Sequence, residues 1–293
     1  MDKFSHYIVT GGCGFIGSHL VEALAAMECF VTVVDDNRNG RHVIDHPFVQ
    51  YLHCAVEDVI LDAVDLKNNP LPVDGIIHLA NTPRVRLSME DPRDAILNNI
   101  VPTVAVCEWA REYNCPLYFA QTSSRLHSSP YANPYTFGKT IAEESLNLYN
   151  KLWNVQSHLL YFYNIYGPRE ADYGQHSTVI RSFKNQIIKG EPLRIYGSGR
   201  KERDFTFVSD AIAGIIKLIL TAPSRRPKSI HLGKGDPKSI LEIAEAFEHP
   251  FIHEFDREGE AEKTRCDKPY VQGKFDVIDY IKRWKIENAQ TSS

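Results

Sequence analysis

The sequence predicts an α/β protein organised around a parallel sheet, and three observations lead to that prediction. Short apolar runs with strand character alternate with helix-like patterns through the first two-thirds of the 293 residues. A glycine-rich turn joins the first apolar run to the first helical pattern. The apolar content of 43% and the charged content of 24% are those of an ordinary globular protein.

The alternating elements follow one another along the chain in a regular order. Because the helical patterns fall between strand-like runs, as in βαβ units, we expect a parallel sheet with right-handed crossovers. The strand-like runs are 6–9, 31–34, 75–79, 117–120 and 158–162. The helix-like stretches between them are 17–27, 94–113 and 135–153.

The regular alternation of strand-like and helix-like segments ends after residue 166. A loop and a helix-like stretch at 178–189 come next, and then short segments rich in Gly, Arg and Lys. We therefore predict a sheet domain at 1–166 and a smaller α/β lobe at 167–293 that closes over the carboxyl edge of the sheet. Some strands and helices of the lobe are expected to interleave with the core of the first domain.

Charge and composition exclude several classes of protein. The formal net charge of −4 leaves no basic excess for a nucleic-acid binder. No apolar stretch approaches the ~20 residues that span a bilayer, and the N-terminus lacks the apolar region of a signal peptide. The six cysteines form no C-x-x-C pair and have no zinc-ligand spacing, so we predict no metal site. These features together predict a cytoplasmic protein.

The glycine-rich turn, TGGCGFIGSHL, has the pattern of a dinucleotide-binding loop. Gly11 permits a tight turn, Gly14 lets the backbone approach a pyrophosphate, and Gly17 allows the helix to pack closely on the strand. The N-terminus of the helix that follows offers free N–H groups and a positive dipole end, which favour an anion. This motif predicts a Rossmann domain with a doubly wound parallel sheet.

An acidic residue follows the glycine-rich turn at the sequence separation typical of the residue that binds a dinucleotide ribose. Asp35 ends the run VTVVDD, and a carboxylate there accepts hydrogen bonds from the ribose hydroxyls and repels a 2′-phosphate. We predict NAD as the cofactor and take Asp36 and Asn37 as part of the same site. Arg38 and Arg41 nearby keep NADP open as the alternative.

A tyrosine and a lysine lie four residues apart at the start of a predicted helix, in the segment PYTFGKTIAEE. This spacing places Tyr135 and Lys139 on one helix face, where an ammonium lowers the pKa of a neighbouring phenol. Such a tyrosine can exchange a proton with a sugar hydroxyl. Upstream, Thr122, Ser123 and Ser124 end a strand, and any of these hydroxyls can share that proton.

These motifs resemble those of the extended short-chain dehydrogenase/reductase family, in its NAD-dependent nucleotide-sugar epimerase/dehydratase branch. The resemblance covers nearly the whole chain. It is carried by TGGCGFIGSHL, VVDDNRNG, IIHLA, NNIVPT, TSS, YTFGK, YNIYGPRE, GSGRKERDFTFVSDAIAGI, HLGKGD and DREGEAEKTRCD.

The resemblance implies a role for particular residues. Tyr135 is the acid/base, Lys139 orients the nicotinamide ribose, and Ser123 is the best match for the active-site hydroxyl. The implied cofactor-binding residues are Gly11, Gly14, Phe15, Ile16, Gly17, Asp35, Asp36, Asn37, Leu79, Ala80, Asn99, Tyr135 and Lys139. The implied substrate-binding residues are Ser123, Ser124, Asn164, Arg203, Arg257 and Thr264, with both arginines on the diphosphate.

Family members differ in the chemical step after oxidation of the sugar at C4. Dehydratases carry Asp-Glu directly after the active-site hydroxyl and decarboxylases place a Glu nearby, whereas this chain has Ser124 and Arg125. A 4-epimerase needs no further acid, so the sequence favours a nucleotide-sugar 4-epimerase. A 4,6-dehydratase or UDP-glucuronate decarboxylase is the alternative. A second alternative is a non-catalytic relative that only binds NAD or a nucleotide sugar. The presence of both Tyr135 and Lys139 argues against it.

The resemblance also implies a substrate and a partner. The family favours UDP-linked hexoses, and the small Thr264 at the seventh position after Arg257 would admit an N-acetyl group. UDP-glucose and UDP-N-acetylglucosamine are therefore the expected substrates. The Arg that normally opens the YNIYGPRE strand is replaced here by Tyr161.

The helices at 94–113 and 135–153 correspond to those through which most members form homodimers, and their apolar faces fit an internal core equally well.

Overall fold

The computed structural model describes residues 5–38, 42–59, 72–83, 85–170, 172, 177–221, 228–256 and 261–291. Its strands are β1 (His6–Thr10), β2 (Phe30–Val34), β3 (Val49–Leu52), β4 (Gly75–His78), β5 (Leu117–Thr122), β6 (Ser157–Phe162), β7 (Asn164–Tyr166), β8 (Leu193–Tyr196), β9 (Glu202–Phe207), β10 (Ser229–Leu232), β11 (Pro237–Ser239) and β12 (Phe251–Glu254). Its helices are α1 (Phe15–Ala26), α2 (Val85–Glu90), α3 (Pro92–Tyr113), α4 (Ser124–His127), α5 (Pro134–Trp153), α6 (Val179–Ile188), α7 (Val208–Thr221), α8 (Ile240–Ala246) and α9 (Val277–Thr291).

Seven of these strands form one parallel sheet in the order β10-β6-β5-β4-β1-β2-β3. The predicted Rossmann-type, doubly wound parallel sheet is therefore confirmed. Strand β3 was not among the predicted runs. It lies at the edge of the sheet and none of its residues is fully buried, so it lacks the apolar run that marks the inner strands.

Helices cover both faces of this sheet, because alternate strand residues point to opposite sides. Tyr7 and Val9 of β1 pack in one cluster with α1 and α7. Their neighbour Ile8 packs in a second cluster with α3 and α5 on the other face. Both faces of the inner strands are therefore buried, which explains why these strands read as continuous apolar runs.

The two long helices on the second face have well-defined ends. Asp91 caps α3 by accepting from Asp94 N, and Asn133 caps α5 by accepting from Thr136 N at 2.8 Å. Each helix has Pro at its first position, where the missing N–H costs nothing. Asn114 and Asn154 close the two helices in the left-handed conformation. This capping places Tyr135 in the first turn of α5.

The smaller α/β lobe has a core of its own. Two short sheets, β11-β9-β7 and β12-β8, pack with α6, α8 and α9 around Phe183, Phe205 and Phe247. Elements of the lobe's part of the chain also return to the main sheet, since β10 pairs with β6 and α7 packs in the cluster that contains α1. The division at residue 166 remains a prediction. None of the helices in the described ranges combines the length and apolar character that a membrane crossing requires.

Candidate active site

A cavity of about 570 Å³ opens at the carboxyl edge of the main sheet. Parallel strands place the residues that follow them at the same edge, and a ligand site forms where neighbouring strands run on in opposite directions along the sheet. That point lies between β1 and β4. The cavity wall runs from the turn after β1, past α5, to the β9 region of the lobe.

The turn after β1 forms one end of this cavity. Gly11 has a φ of +72°, and a Cβ there would lie 2.6 Å from Ala80 N, so only glycine fits. A Cβ on Gly17 would overlap the Gly11 carbonyl oxygen. A Cβ on Gly14, by contrast, would meet only Gly11 O, at 3.3 Å, and Gly14 lines the cavity. Gly11 and Gly17 are therefore required for packing, whereas Gly14 leaves room for a ligand at the start of α1.

Asp35 lies at the end of β2, beside that turn. Its two carboxylate oxygens accept from Cys13 N and from Asn37 N, both at 2.8 Å. Burial raises the pKa of the Asp35 carboxyl, and the two backbone donors act in the opposite direction. Each oxygen keeps a lone pair for a further donor, and the residue lines the cavity. A helix N-terminus beside a carboxylate fits a dinucleotide with an unphosphorylated ribose.

Tyr135 and Lys139 line the middle of the cavity from the first turns of α5. Lys139 is buried, and burial lowers the pKa of its ammonium to about 7. Its Nζ donates to Ala120 O at 2.6 Å and to Asn81 Oδ1, and it lies 4.5 Å from the centre of the Phe119 ring. A cation beside a phenol favours the phenolate, so this arrangement suits proton exchange at Tyr135.

Sequence analysis did not predict a role for Asn81. It follows the motif at 78–80 directly and lines the cavity. Its Nδ2 donates to Ala80 O at 2.5 Å and lies 3.3 Å from Nε2 of the buried His78. The signal that could have identified Asn81 is its position one step beyond a buried strand, at the edge where the other site residues lie.

Ser123 is buried and lines the cavity at the end of β5, together with Ser124. Arg125, the next residue, turns toward α5, where its Nε lies 3.6 Å from Glu143 Oε2. Glu143 also accepts from Gln121 Nε2 at 2.9 Å and hydrogen-bonds with Tyr161. Two departures from the family pattern, Arg125 and Tyr161, therefore meet at one partly buried carboxylate that is not part of the cavity wall.

The lobe forms the far end of the cavity, lined by Asn164, Arg203 and Thr264 together with Arg194, Tyr196 and Lys201. Asn164 Nδ2 donates to Thr264 Oγ1 at 3.3 Å and to Asp204 O at 3.4 Å. These contacts hold Asn164 and Thr264 together. The guanidinium of Arg203 donates to Glu202 O at 3.0 Å. The cations at this end lie close together in sequence on β8, β9 and the loop between them. Arg194 lies 3.5 Å from Glu254 and Lys201 lies 2.7 Å from Asp256. The planar guanidinium of Arg203 is of the type that binds a diphosphate.

The structure brings most of the residues proposed from the sequence to this one wall. They are Gly11, Gly14, Phe15, Ile16, Gly17, Asp35, Asp36, Leu79, Ala80, Ser123, Ser124, Tyr135, Lys139, Asn164, Arg203 and Thr264.

Two of the proposed residues that the structure describes do not line the cavity wall. Asn37 contacts His53 at 2.9 Å, and Asn99 is fully buried in α3, where its Nδ2 donates to Ala95 O at 2.6 Å. Arg257 lies outside the described residues. Within the described part of the chain, no group of three or more His, Cys, Asp or Glu residues could hold a metal ion.

Comparison with known proteins identifies a family for this fold and site. The sequence profile of the NAD dependent epimerase/dehydratase family matches residues 7–233. A Methanocaldococcus jannaschii protein, provisionally named UDP-glucose 4-epimerase, is 28% identical over 97% of this chain and 99% of its own length. A UDP-N-acetyl-alpha-D-glucosaminuronate decarboxylase of Bacillus cytotoxicus is 31% identical over 84% of this chain and 80% of its own length.

The fold is also similar to that of solved structures. The UDP-glucose 4-epimerase of Thermotoga maritima, solved with UDP-glucose, superposes with a TM-score of 0.84 at 21% identity, over 98% of this chain and 100% of that one. At this identity the similarity concerns the fold alone.

Proposed function

Because the chain belongs to the NAD dependent epimerase/dehydratase family, we propose that it is a nucleotide-sugar 4-epimerase acting on a UDP-hexose or UDP-N-acetylhexosamine. The observation that carries this proposal is the wall around Tyr135. The two residues after Ser123 are Ser124 and Arg125, and Arg125 pairs with Glu143 away from the cavity. A dehydratase or decarboxylase acid is therefore missing at that place, whereas epimerisation needs none.

The family's cofactor fits the residues present. Gly11, Gly14 and Gly17 with the start of α1 would hold the pyrophosphate, Asp35 the adenosine ribose, and Lys139 the nicotinamide ribose. When bound, NAD supplies the hydride acceptor for the sugar C4 and the donor that returns the hydride.

The chain's own residues handle the proton in this proposal. Tyr135, as the phenolate favoured by the Lys139 ammonium, takes the proton from the sugar 4-hydroxyl, and Ser123 donates a hydrogen bond to the same oxygen. After the ring of the 4-keto sugar has turned in the cavity, so that the opposite face of C4 is the one reduced, Tyr135 returns the proton to the 4-oxygen. At the far end, Arg203, with Lys201 nearby, would neutralise the diphosphate while Asn164 contacts it. Arg257 is proposed as a second diphosphate ligand.

The decarboxylase alternative has one observation in its favour, which is the 31% identity to the Bacillus cytotoxicus decarboxylase. A decarboxylase acts on a sugar acid and releases CO₂, so the two functions give different products from different substrates. The missing acid beside Ser123 is the reason to prefer the epimerase.

Product analysis tests the proposal. Purified protein is incubated with UDP-glucose, UDP-N-acetylglucosamine, UDP-glucuronate, dTDP-glucose and GDP-mannose, and the products are followed by NMR. We expect the 4-epimer of a UDP-sugar without net reduction of NAD. A 4-keto-6-deoxy product or released CO₂ would contradict the proposal. Turnover of UDP-glucose but not UDP-N-acetylglucosamine would contradict the role given to Thr264.

A matched pair of variants tests the acid/base assignment. Tyr135→Phe should lower kcat by about 10²-fold or more while leaving NAD binding intact. Tyr131→Phe, at an 81% exposed neighbour, serves as the control and should keep full activity. A Tyr135→Phe variant with wild-type kcat would overturn the assignment.

We also propose a homodimer formed through α3 and α5. Exposed apolar side chains follow one stripe on each helix, at Leu97, Val101 and Val104 on α3 and at Leu148 and Leu152 on α5. Sedimentation equilibrium that gives only the monomer mass would contradict this assembly.

A further inference from the structure

The Lys139 side chain is only 3% exposed, yet no carboxylate among the described residues contacts its ammonium. A buried ammonium is stable only when its N–H groups have acceptors. The acceptors here are a backbone carbonyl, Ala120 O, and one side-chain oxygen, Asn81 Oδ1. The face of the Phe119 ring lies alongside.

The carboxamide of Asn81 has a defined orientation. As an ammonium, Lys139 Nζ only donates, so the oxygen of the amide faces it, and Nδ2 donates on the other side to Ala80 O. On the other side of the Asn81 amide lies the His78 ring, whose Nε2 is 3.3 Å from Asn81 Nδ2. Burial, with a smaller contribution from the Lys139 charge, lowers the pKa of His78 to about 3, so this imidazole is neutral and adds no competing charge.

We propose that Asn81 is a positioning residue whose carboxamide oxygen holds the Lys139 side chain as an ammonium beside Tyr135, and so sets the pH range in which Tyr135 exchanges its proton. The proposal rests on the proposed function only in giving Tyr135 that proton exchange. It does not depend on which sugar is the substrate.

The other groups around Lys139 do not replace Asn81. His78 of β4 is neutral, and Phe119 and Ala120 of β5 carry no charge. On α5, Tyr135 is the group that the ammonium acts on. Glu143, one turn further along, is bound to Gln121 and paired with Arg125. Among the described residues, Asn81 therefore supplies the side-chain oxygen that favours the charged lysine.

The test measures the Lys139 pKa directly in the full-length protein. The protein carries lysine labelled with ¹³C at Cε, the Lys139 resonance is assigned with Lys139→Arg, and the resonance is titrated. We expect Asn81→Ala to lower the pKa by about one unit, because an acceptor for the charged form is lost. Asn81→Asp should raise the pKa, because a carboxylate replaces the neutral oxygen.

A matched control is available on the same cavity wall. Asn98 also lines the cavity, but its amide donates to Asp94 Oδ1 at 2.7 Å and does not contact Lys139. Asn98→Ala should leave the Lys139 titration unchanged. If both Asn81 variants titrate like the wild type, or shift in the same direction, the proposal is wrong.

Enzyme kinetics give a second readout. In Asn81→Ala the falling limb of the kcat/KM profile should move to lower pH, because Lys139 loses its proton earlier. In Asn81→Asp the rising limb should move to higher pH, because the new carboxylate offsets the ammonium's field at Tyr135. Lower activity with both limbs unmoved would indicate a structural role for Asn81 and overturn the proposal. Because the NMR titration needs no turnover, its failure is distinguishable from failure of the proposed function.

Discussion

Among single residues, the site depends on the buried ammonium of Lys139, whose charged form is destabilised by burial. Lys139 is buried and its pKa falls to about 7 from an ordinary value of 10.5. The residue is held by Asn81 and Ala120, and it lies one helical turn from Tyr135. Burial makes the ammonium's field strong at the phenol, because little water screens it, and the same burial destabilises the charged lysine. The residue that we propose activates Tyr135 therefore lowers the stability of the fold.

This conflict predicts a pH-dependent stability difference for Lys139→Met. Between pH 7 and about 10.5 the unfolded wild-type chain keeps a proton that the folded chain has released, so wild-type stability rises with pH over that window. The variant lacks this dependence. We expect its Tm to exceed that of the wild type by roughly 5 °C at pH 6 and the difference to shrink toward pH 10.

Thermal unfolding followed by circular dichroism from pH 6 to pH 9.5 measures this difference. Lys151→Met, at an exposed position on the same helix, is the control and should show no such trend. A Lys139→Met difference that stays constant across this range would contradict the prediction.

Among the elements, two junctions hold α5 and the turn after β1 in place. Glu143 of α5 binds Gln121 of β5, Arg125 of α4 and Tyr161 of β6, which ties the serines after β5 to the helix of Tyr135. In the turn after β1, Gly11 and Gly17 approach backbone atoms too closely for any side chain. A side chain at Gly11 or Gly17 would displace whole elements, whereas a Cβ on Gly14 would meet only Gly11 O, at 3.3 Å.

Substitutions of Gly17 and Gly14 should therefore differ in their effects on the free energy of unfolding and on NAD binding. Gly17→Ala should lower the free energy of unfolding by about 3 kcal/mol and weaken NAD binding, because the new Cβ forces α1 away from Gly11. Gly14→Ala should keep the Tm within about 2 °C of the wild type, and its Cβ should weaken NAD binding by roughly tenfold or more.

Urea unfolding and calorimetric titration with NAD measure the two effects. Equal losses of stability in the two variants would refute the distinction, as would unchanged NAD binding in Gly14→Ala.

At the scale of the whole molecule, one buried carboxylate connects the lobe to the main sheet. Asp204 of β9 is fully buried and accepts from Lys234 N at 2.9 Å and from Gly235 N and Cys266 N, both at 2.8 Å. Lys234 and Gly235 follow β10 of the main sheet, and Cys266 precedes α9 of the lobe. The same residue contacts Asn164 and Thr264 through its backbone. The far wall of the cavity thus depends on this connection.

Removing this carboxylate should loosen the lobe. Asp204→Ala leaves the N–H groups of Gly235 and Cys266 without an acceptor, while Lys234 N keeps Thr206 Oγ1 at 3.0 Å. We therefore expect a loss of about 3 kcal/mol in the free energy of unfolding. We also expect a rise in KM for the nucleotide sugar. Asp236→Ala, a neighbour whose side chain is 47% exposed, should change stability by less than about 1 kcal/mol.

Denaturant unfolding and steady-state kinetics of both variants measure these effects. A wild-type unfolding midpoint for Asp204→Ala would contradict the role of this residue.

Local sequence patterns were enough to predict the Rossmann sheet, the glycine-rich turn, the position of Asp35 and the Tyr135–Lys139 pair. Each of these depends on short-range spacing, which the periods of strand and helix translate directly into geometry. Only the tertiary structure showed that Asn81 meets Lys139 across 58 positions, that Asn164 meets Thr264 across 100, and that Arg125 and Tyr161 meet at Glu143. Edge strand β3 also escaped prediction, because half-exposed strands carry no apolar run. Side chains that are distant in sequence meet only after the strands have paired, and no local pattern records which of them will be neighbours.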